Sequence, residues 1–154
     1  MSKSGITVLT SDSEFKKLQE IWKDEINERI IGFLAYYGEL FTVEAKLSKS
    51  YKDQSSLLTS SIGYVISENG DILLEKFEED GKEGAQKSKQ LAREVAAIYN
   101  KGHVLICVAG MEYAGYVEAK KNKQTGDNYR VISSAGEKIR ELMRQAIKSD
   151  INNG

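Results

Sequence analysis

The feature that most limits what this chain can become is a stripe of apolar residues near its start that keeps helical step. Phe15, Leu18, Trp22, Ile26, Ile30, Phe33 and Tyr37 recur at steps of three and four, and Leu40, Phe41, Ala45 and Leu47 extend them. That spacing puts them on one face of a helix. Ahead of them Ser11-Asp12-Ser13-Glu14 has the form of a capping box. The serine can accept a backbone N–H of the first turn while the glutamate reaches back to it. The expectation is one amphipathic helix, or two joined coaxially, with Gly32 and Gly38 as places for a bend. Unbroken to Leu47 it spans about 50 Å at 1.5 Å per residue. Such a helix is either the core of a monomer or a part that brackets neighbours. Either way Phe15, Trp22, Ile26, Ile30 and Phe33 should be buried, against a sheet or against another subunit.

Beyond the polar stretch Ser48 to Ser56 the period changes to two. Ile62, Tyr64 and Ile66 alternate with Ser61, Gly63, Val65 and Ser67, which reads as a strand. Asn69-Gly70 is a strong hairpin signal, and Ile72 to Phe77 forms the returning strand. After an acidic turn, Glu78 to Lys82, a helix is expected from Glu83 to Tyr99, with Leu91, Val95 and Ile98 inward. Gly102 stops it. Val104 to Ala109 is apolar throughout and reads as a central strand buried on both faces. A second short strand is expected over Tyr113 to Ala119, then a polar loop from Lys120 to Asn128 and a short extended piece from Tyr129 to Ile132. Ser134-Ala135-Gly136-Glu137 reads as a second capping box, opening a helix striped by Ile139, Leu142, Met143, Ala146 and Ile147. The fold class is α+β: an antiparallel sheet packed by a long N-terminal helix, a middle helix and a C-terminal helix. With 154 residues and no internal repeat, one domain is expected over 1–154. Its ordered core should cover about 11–148, with Asn152-Asn153-Gly154 fraying.

Composition narrows the function classes. The apolar share is 40% and the charged share 29%, the balance of a globular chain. No apolar run is long enough to cross a bilayer, so no membrane partner is expected. The net charge of −1 excludes bulk electrostatic attraction to duplex DNA, leaving only a local patch. Cys107 is the only cysteine and sits in an apolar run, where it reads as a small buried hydrophobe. The chain has no proline, so turns fall to Gly, Asn, Asp and Ser.

Chemistry is hard to assemble from these residues. His103 is the only histidine, so any triad would have to use it, yet it sits at a strand start directly after Gly102. One histidine and one cysteine do not make a zinc site. Glu75, Glu78, Glu79 and Asp80 crowd a turn without the regular spacing of a hard-cation loop. The glycines form neither a dinucleotide fingerprint nor a P-loop. No catalytic, cofactor or metal residue is expected.

Three passages carry a resemblance. Asp53-Gln54-Ser55-Ser56-Leu57-Leu58-Thr59-Ser60-Ser61-Ile62-Gly63-Tyr64 resembles the T-G-x-L-x-x-S-I stretch of phage tail-completion proteins, which leads from the first helix into the sheet. Tyr113-Ala114-Gly115-Tyr116-Val117-Glu118 is similar to that family's Y-A-x-Y-V-E strand, and Tyr129 to Ala135 resembles the lead-in to its last helix. The order holds from about Phe15 to Ile147, and versions from phages and prophages of Bacteroides-type bacteria look most alike. Two departures stand out: Ser55-Ser56 replaces the family's Thr-Gly, and Ala119-Lys120 replaces the Gly-Thr that often follows the glutamate.

The resemblance implies a non-catalytic virion protein of the neck, head-tail connector or tail top. It would sit as one copy in a homo-oligomeric ring beside portal or tail proteins, with DNA only as passing cargo. Under it, Lys49, Lys52 and Asp53 of the first polar loop and Lys120, Lys121 and Lys123 of the second are interface candidates. So are Tyr113, Tyr116 and Glu118 of the strand between them, although Glu118 also reads as a local surface ion pair. The alternatives are a small cytoplasmic enzyme or ligand-binding domain with a pocket near Tyr113 to Glu118, and a regulatory protein folding as a simple dimer.

Overall fold

The computed structural model describes residues 11–47, 57–77, 83–110 and 131–154. The apolar stripe builds one continuous helix. α1 runs Asp12–Leu47, 36 residues, or about 54 Å. Its start is closed as the sequence suggests: Ser11 N donates to Glu14 Oε2 at 2.8 Å, and Glu14 N donates to Ser11 Oγ at 3.3 Å. Hydrogen bonds from Ser11, its backbone N–H foremost, hold the Glu14 carboxyl below its ordinary range. A short α2 (Leu57–Ser61) feeds directly into β1 (Ile62–Glu68), which hairpins to β2 (Asp71–Phe77). Then come α3 (Glu83–Ile98), β3 (His103–Ala109) and α4 (Val131–Asn153).

The strands form an antiparallel sheet in the order β2-β1-β3. At the hairpin tip Asn69 and Gly70 both take positive φ, 52° and 93°, the backbone of a two-residue turn matched to strand twist. The tip is tied down as well. Asn69 N donates to Gly102 O at 3.0 Å, and Gly102 N donates to Asn69 Oδ1 at 2.9 Å. The turn after α3 and the hairpin therefore brace each other.

The strand buried on both faces is β1, not β3 as the apolar run of β3 led one to expect. From Ile62 to Ser67 every residue of β1 is buried, whereas β3 alternates between half-buried and buried. The reason is position: β1 has a strand on each side and helices above and below. Its Gly63 and Ser67, and Ser61 just before it, are small residues buried beneath packed elements.

Ile62, Tyr64 and Ile66, with Leu74, Leu105 and Cys107, face α1 and α4. Val65, Ile106 and Val108, with Ile72 and Phe77, face α3. In β2 the register slips between the pairs Ile66↔Leu74 and Ser67↔Ile72. That bulge at Leu73 sends Ile72 and Leu74 to opposite faces, where a regular strand would put them on the same one. Each reaches a different core.

Three sequence expectations change here. In α3 the buried set is Gly84, Ala85, Ser88, Ala92 and Ala96, while Leu91 and Ile98 are exposed and Val95 is half-buried. Small residues bring the helix backbone close to the sheet, and Lys89 and Arg93 reach across to Glu75 at 3.2 Å each. In α4 the helix begins at Val131, so Ser134 lies inside it and caps nothing. Ile132, expected to be extended, is helical and packs with Ala135, Ile139, Met143 and Ala146 against Phe41 and Ala45. Apolar packing that starts before the serine decides where this helix begins. The same helix runs to Asn153. The strand over 113–119 and the loops over 48–56, 78–82 and 120–128 lie outside the described residues.

Candidate functional site

α1 and α4 run in opposite directions along one face of the sheet. Lys138, early in α4, pairs with Glu44, late in α1, at 2.8 Å, and Met143 further along α4 joins the cluster around Leu34. The helices are unequal, 36 residues against 23. Antiparallel and paired at the end of α1, the shorter one runs out before the longer.

The consequence is seen along the stripe. Tyr37, Phe41 and Ala45 are buried, and Ile30 and Phe33 are half-buried. Phe15, Leu18, Trp22 and Ile26 are exposed, Trp22 to 55%. Burial of Phe15, Trp22 and Ile26 against the chain's own sheet is thus overturned, because neither sheet nor α4 reaches that far. The apolar face does not end there; among the described residues, only its covering does. Ile21 widens the exposed surface, and Leu142, Ile147 and Ile151 of α4 are exposed as well.

Helical spacing puts Asp12, Lys16, Glu20 and Lys23 along one edge of Phe15, Leu18, Trp22 and Ile26, and Glu14 and Glu25 along the other. Glu25 also holds Arg29 one turn on, at 3.0 Å.

A second feature is a groove of about 760 Å³ between α1, β3 and α4, floored by Leu34, Leu105, Cys107 and Met143 and edged by Arg140 and Arg144. His103 lines one end. Its Nε2 is buried without a hydrogen-bond partner among the described residues and lies 3.6 Å from Glu68 Oε1, beyond hydrogen-bonding range. Burial pushes the Cys107 thiol up to about 12, so the groove floor carries no thiolate nucleophile at neutral pH. Tyr64, buried in the centre of the sheet, donates its hydroxyl to Glu39 Oε1 at 2.9 Å. Burial foremost, then that carboxylate, raises its pKa.

Among the described residues no group of His, Cys, Asp and Glu is placed to hold a metal ion. No described helix is long and apolar enough to cross a membrane. The sequence candidates Lys49, Lys52, Asp53, Tyr113, Tyr116, Glu118, Lys120, Lys121 and Lys123 all lie outside the described residues. Sequence reasoning left open whether the N-terminal stripe is covered within the chain, and the structure leaves Phe15, Leu18, Trp22 and Ile26 exposed. Helix lengths could have signalled it, since a 36-residue helix outruns its partners in a chain of this size. No protein family, no curated protein and no solved structure matches the chain.

Proposed function

We propose that this chain is a structural subunit of a tailed bacteriophage, one copy in a ring at the neck or the tail top. The observation that carries the reading is the uncovered apolar half of α1. A water-facing row of Phe15, Leu18, Trp22 and Ile26 costs a lone chain solubility and is useful only when another protein surface covers it. Ring subunits need such a surface, because they join by heterologous contacts that close on rotation. The resemblance of three sequence passages to tail-completion proteins supplies the setting. The described part of the passage Asp53 to Tyr64 runs from α2 into β1, which is compatible with that resemblance. A net charge of −1 suits a channel through which DNA must pass without sticking.

The groove under Arg140 and Arg144 favours a second reading, a ligand-binding domain for an anionic molecule with an apolar body. Mass measurement by light scattering and negative-stain imaging of the purified chain, alone and with portal and tail proteins, separates the two. Closed rings, or entry into a portal-tail assembly, are the expected result. A monomer that joins no such assembly and is stabilised by small amphipathic anions overturns it.

A further inference from the structure

We propose that the groove between α1, β3 and α4 is a binding site for a single-chain fatty acid, with its carboxylate at the His103 and Arg144 end. The proposal rests on the ligand-binding reading of this groove, which it deepens, and is independent of the ring. Shape is the first observation. The groove measures about 760 Å³ and is lined along α4 from Ile132 to Ile147, a run of about 22 Å at 1.5 Å per residue. That volume is in the range of small-molecule sites. Drawn out over that length, it takes a linear apolar body rather than a compact one. Leu34, Leu105, Cys107 and Met143 supply the apolar floor.

Polarity is the second observation, and it is concentrated at one end. β3 and α4 run antiparallel across the groove: Ala109 packs with the cluster of Ala135 and Ile139, while Leu105 and Cys107 pack with Met143 around Leu34. His103 therefore lies at the end where Arg144 and Ile147 follow Met143. There the Nε2 of His103 is buried with no hydrogen-bond partner among the described residues, Glu68 Oε1 standing too far off at 3.6 Å. A buried polar atom of this kind normally has a partner, and a carboxylate oxygen in the groove can accept from it. Arg140 and Arg144, one turn apart on α4, line the same groove and have no ion-pair partner among the described residues. Guanidinium groups hold a carboxylate through paired N–H donors. Glu137 is the acidic residue among the described lining residues; it already has an interaction of its own and lies about 10 Å along α4 from Arg144. The lining at the His103 end is thus basic and opens onto an apolar channel, the pattern that a fatty acid complements.

The test titrates the full chain with decanoate below its micellar concentration. His103 is the only histidine and Trp22 the only tryptophan, so the histidine ring signals in NMR report the groove and tryptophan fluorescence reports the exposed stripe of α1. Saturable movement of the His103 signals with unchanged Trp22 emission is expected. Decanol, which shares the chain and lacks the charge, should bind at least about tenfold more weakly. Arg140→Gln with Arg144→Gln should weaken decanoate binding by about tenfold as well, with the melting temperature unchanged because both arginines are exposed. Movement of Trp22 emission alone would put decanoate on the stripe and overturn the proposal. Equal binding of decanoate and decanol beside His103 would leave a ligand groove standing and refute the assigned anion. No response of His103 to either probe would overturn the groove as a ligand site and leave the ring untouched.

Discussion

Phe41 and Trp22 belong to one sequence pattern and meet opposite fates. Phe41 is 1% exposed in the cluster where α1 meets α4 and the sheet. Phe41→Ala should cost about 3–5 kcal/mol, read as a lower melting temperature. Trp22→Ala should leave the melting temperature of the isolated chain nearly unchanged, within about 0.5 kcal/mol, while weakening association in light scattering. A large drop in Trp22→Ala stability would mean the helix is covered within the chain after all. Cys107 shows how burial sets chemistry. Its thiol, ordinarily near 9.0, is pushed up to about 12. Between those values the unfolded chain loses a proton that the folded chain keeps, so stability falls as pH rises through that window. Tyr64, also raised, adds to the fall in the same direction. Urea unfolding midpoints should therefore drop above about pH 9, and a thiol reagent at neutral pH should label Cys107 only once the protein unfolds.

At the scale of elements, close approach decides more than propensity. Glycine inside a helix normally destabilises it by roughly 0.5–1 kcal/mol relative to alanine. Gly38 reverses that sign. A Cβ there would lie 2.6 Å from Tyr64 Cε2, on a ring held by its hydrogen bond to Glu39. Gly38→Ala is thus expected to destabilise the protein by about 1–3 kcal/mol, measured by chemical denaturation, and a stabilised variant would refute the contact. The position looked like a bend in the sequence; it is a notch through which α1 meets the central strand. α3 follows the same logic with Ala85, Ala92 and Ala96 facing the sheet. In its second turn Ser88 Oγ donates to Ser61 O at 2.5 Å and accepts from Gly110 N at 2.7 Å. One hydroxyl links α3 to the ends of α2 and β3, and neither hydrophobic period nor composition could have announced it.

For the whole molecule, the unequal lengths of α1 and α4 divide α1 into a packed half and an uncovered half. Amide hydrogen exchange on the isolated chain should be fast near 12–26 and slow near 34–45, because only the second half has tertiary packing behind its helical hydrogen bonds. In an assembled particle the first half should become protected; equal exchange in both states would argue that α1 makes no contact between subunits. The sequence by itself determined the elements whose signals are local. The capping box at Ser11, the apolar period of α1, the Asn69-Gly70 turn and the α+β class are all interactions between near neighbours in the chain. Only tertiary structure decided what depends on distant partners. It put β1 rather than β3 at the centre, turned the alanines of α3 inward, started α4 before its apparent cap and left Trp22 exposed. A periodic stripe says which residues share a face, but whether that face is covered depends on how far the facing helix extends.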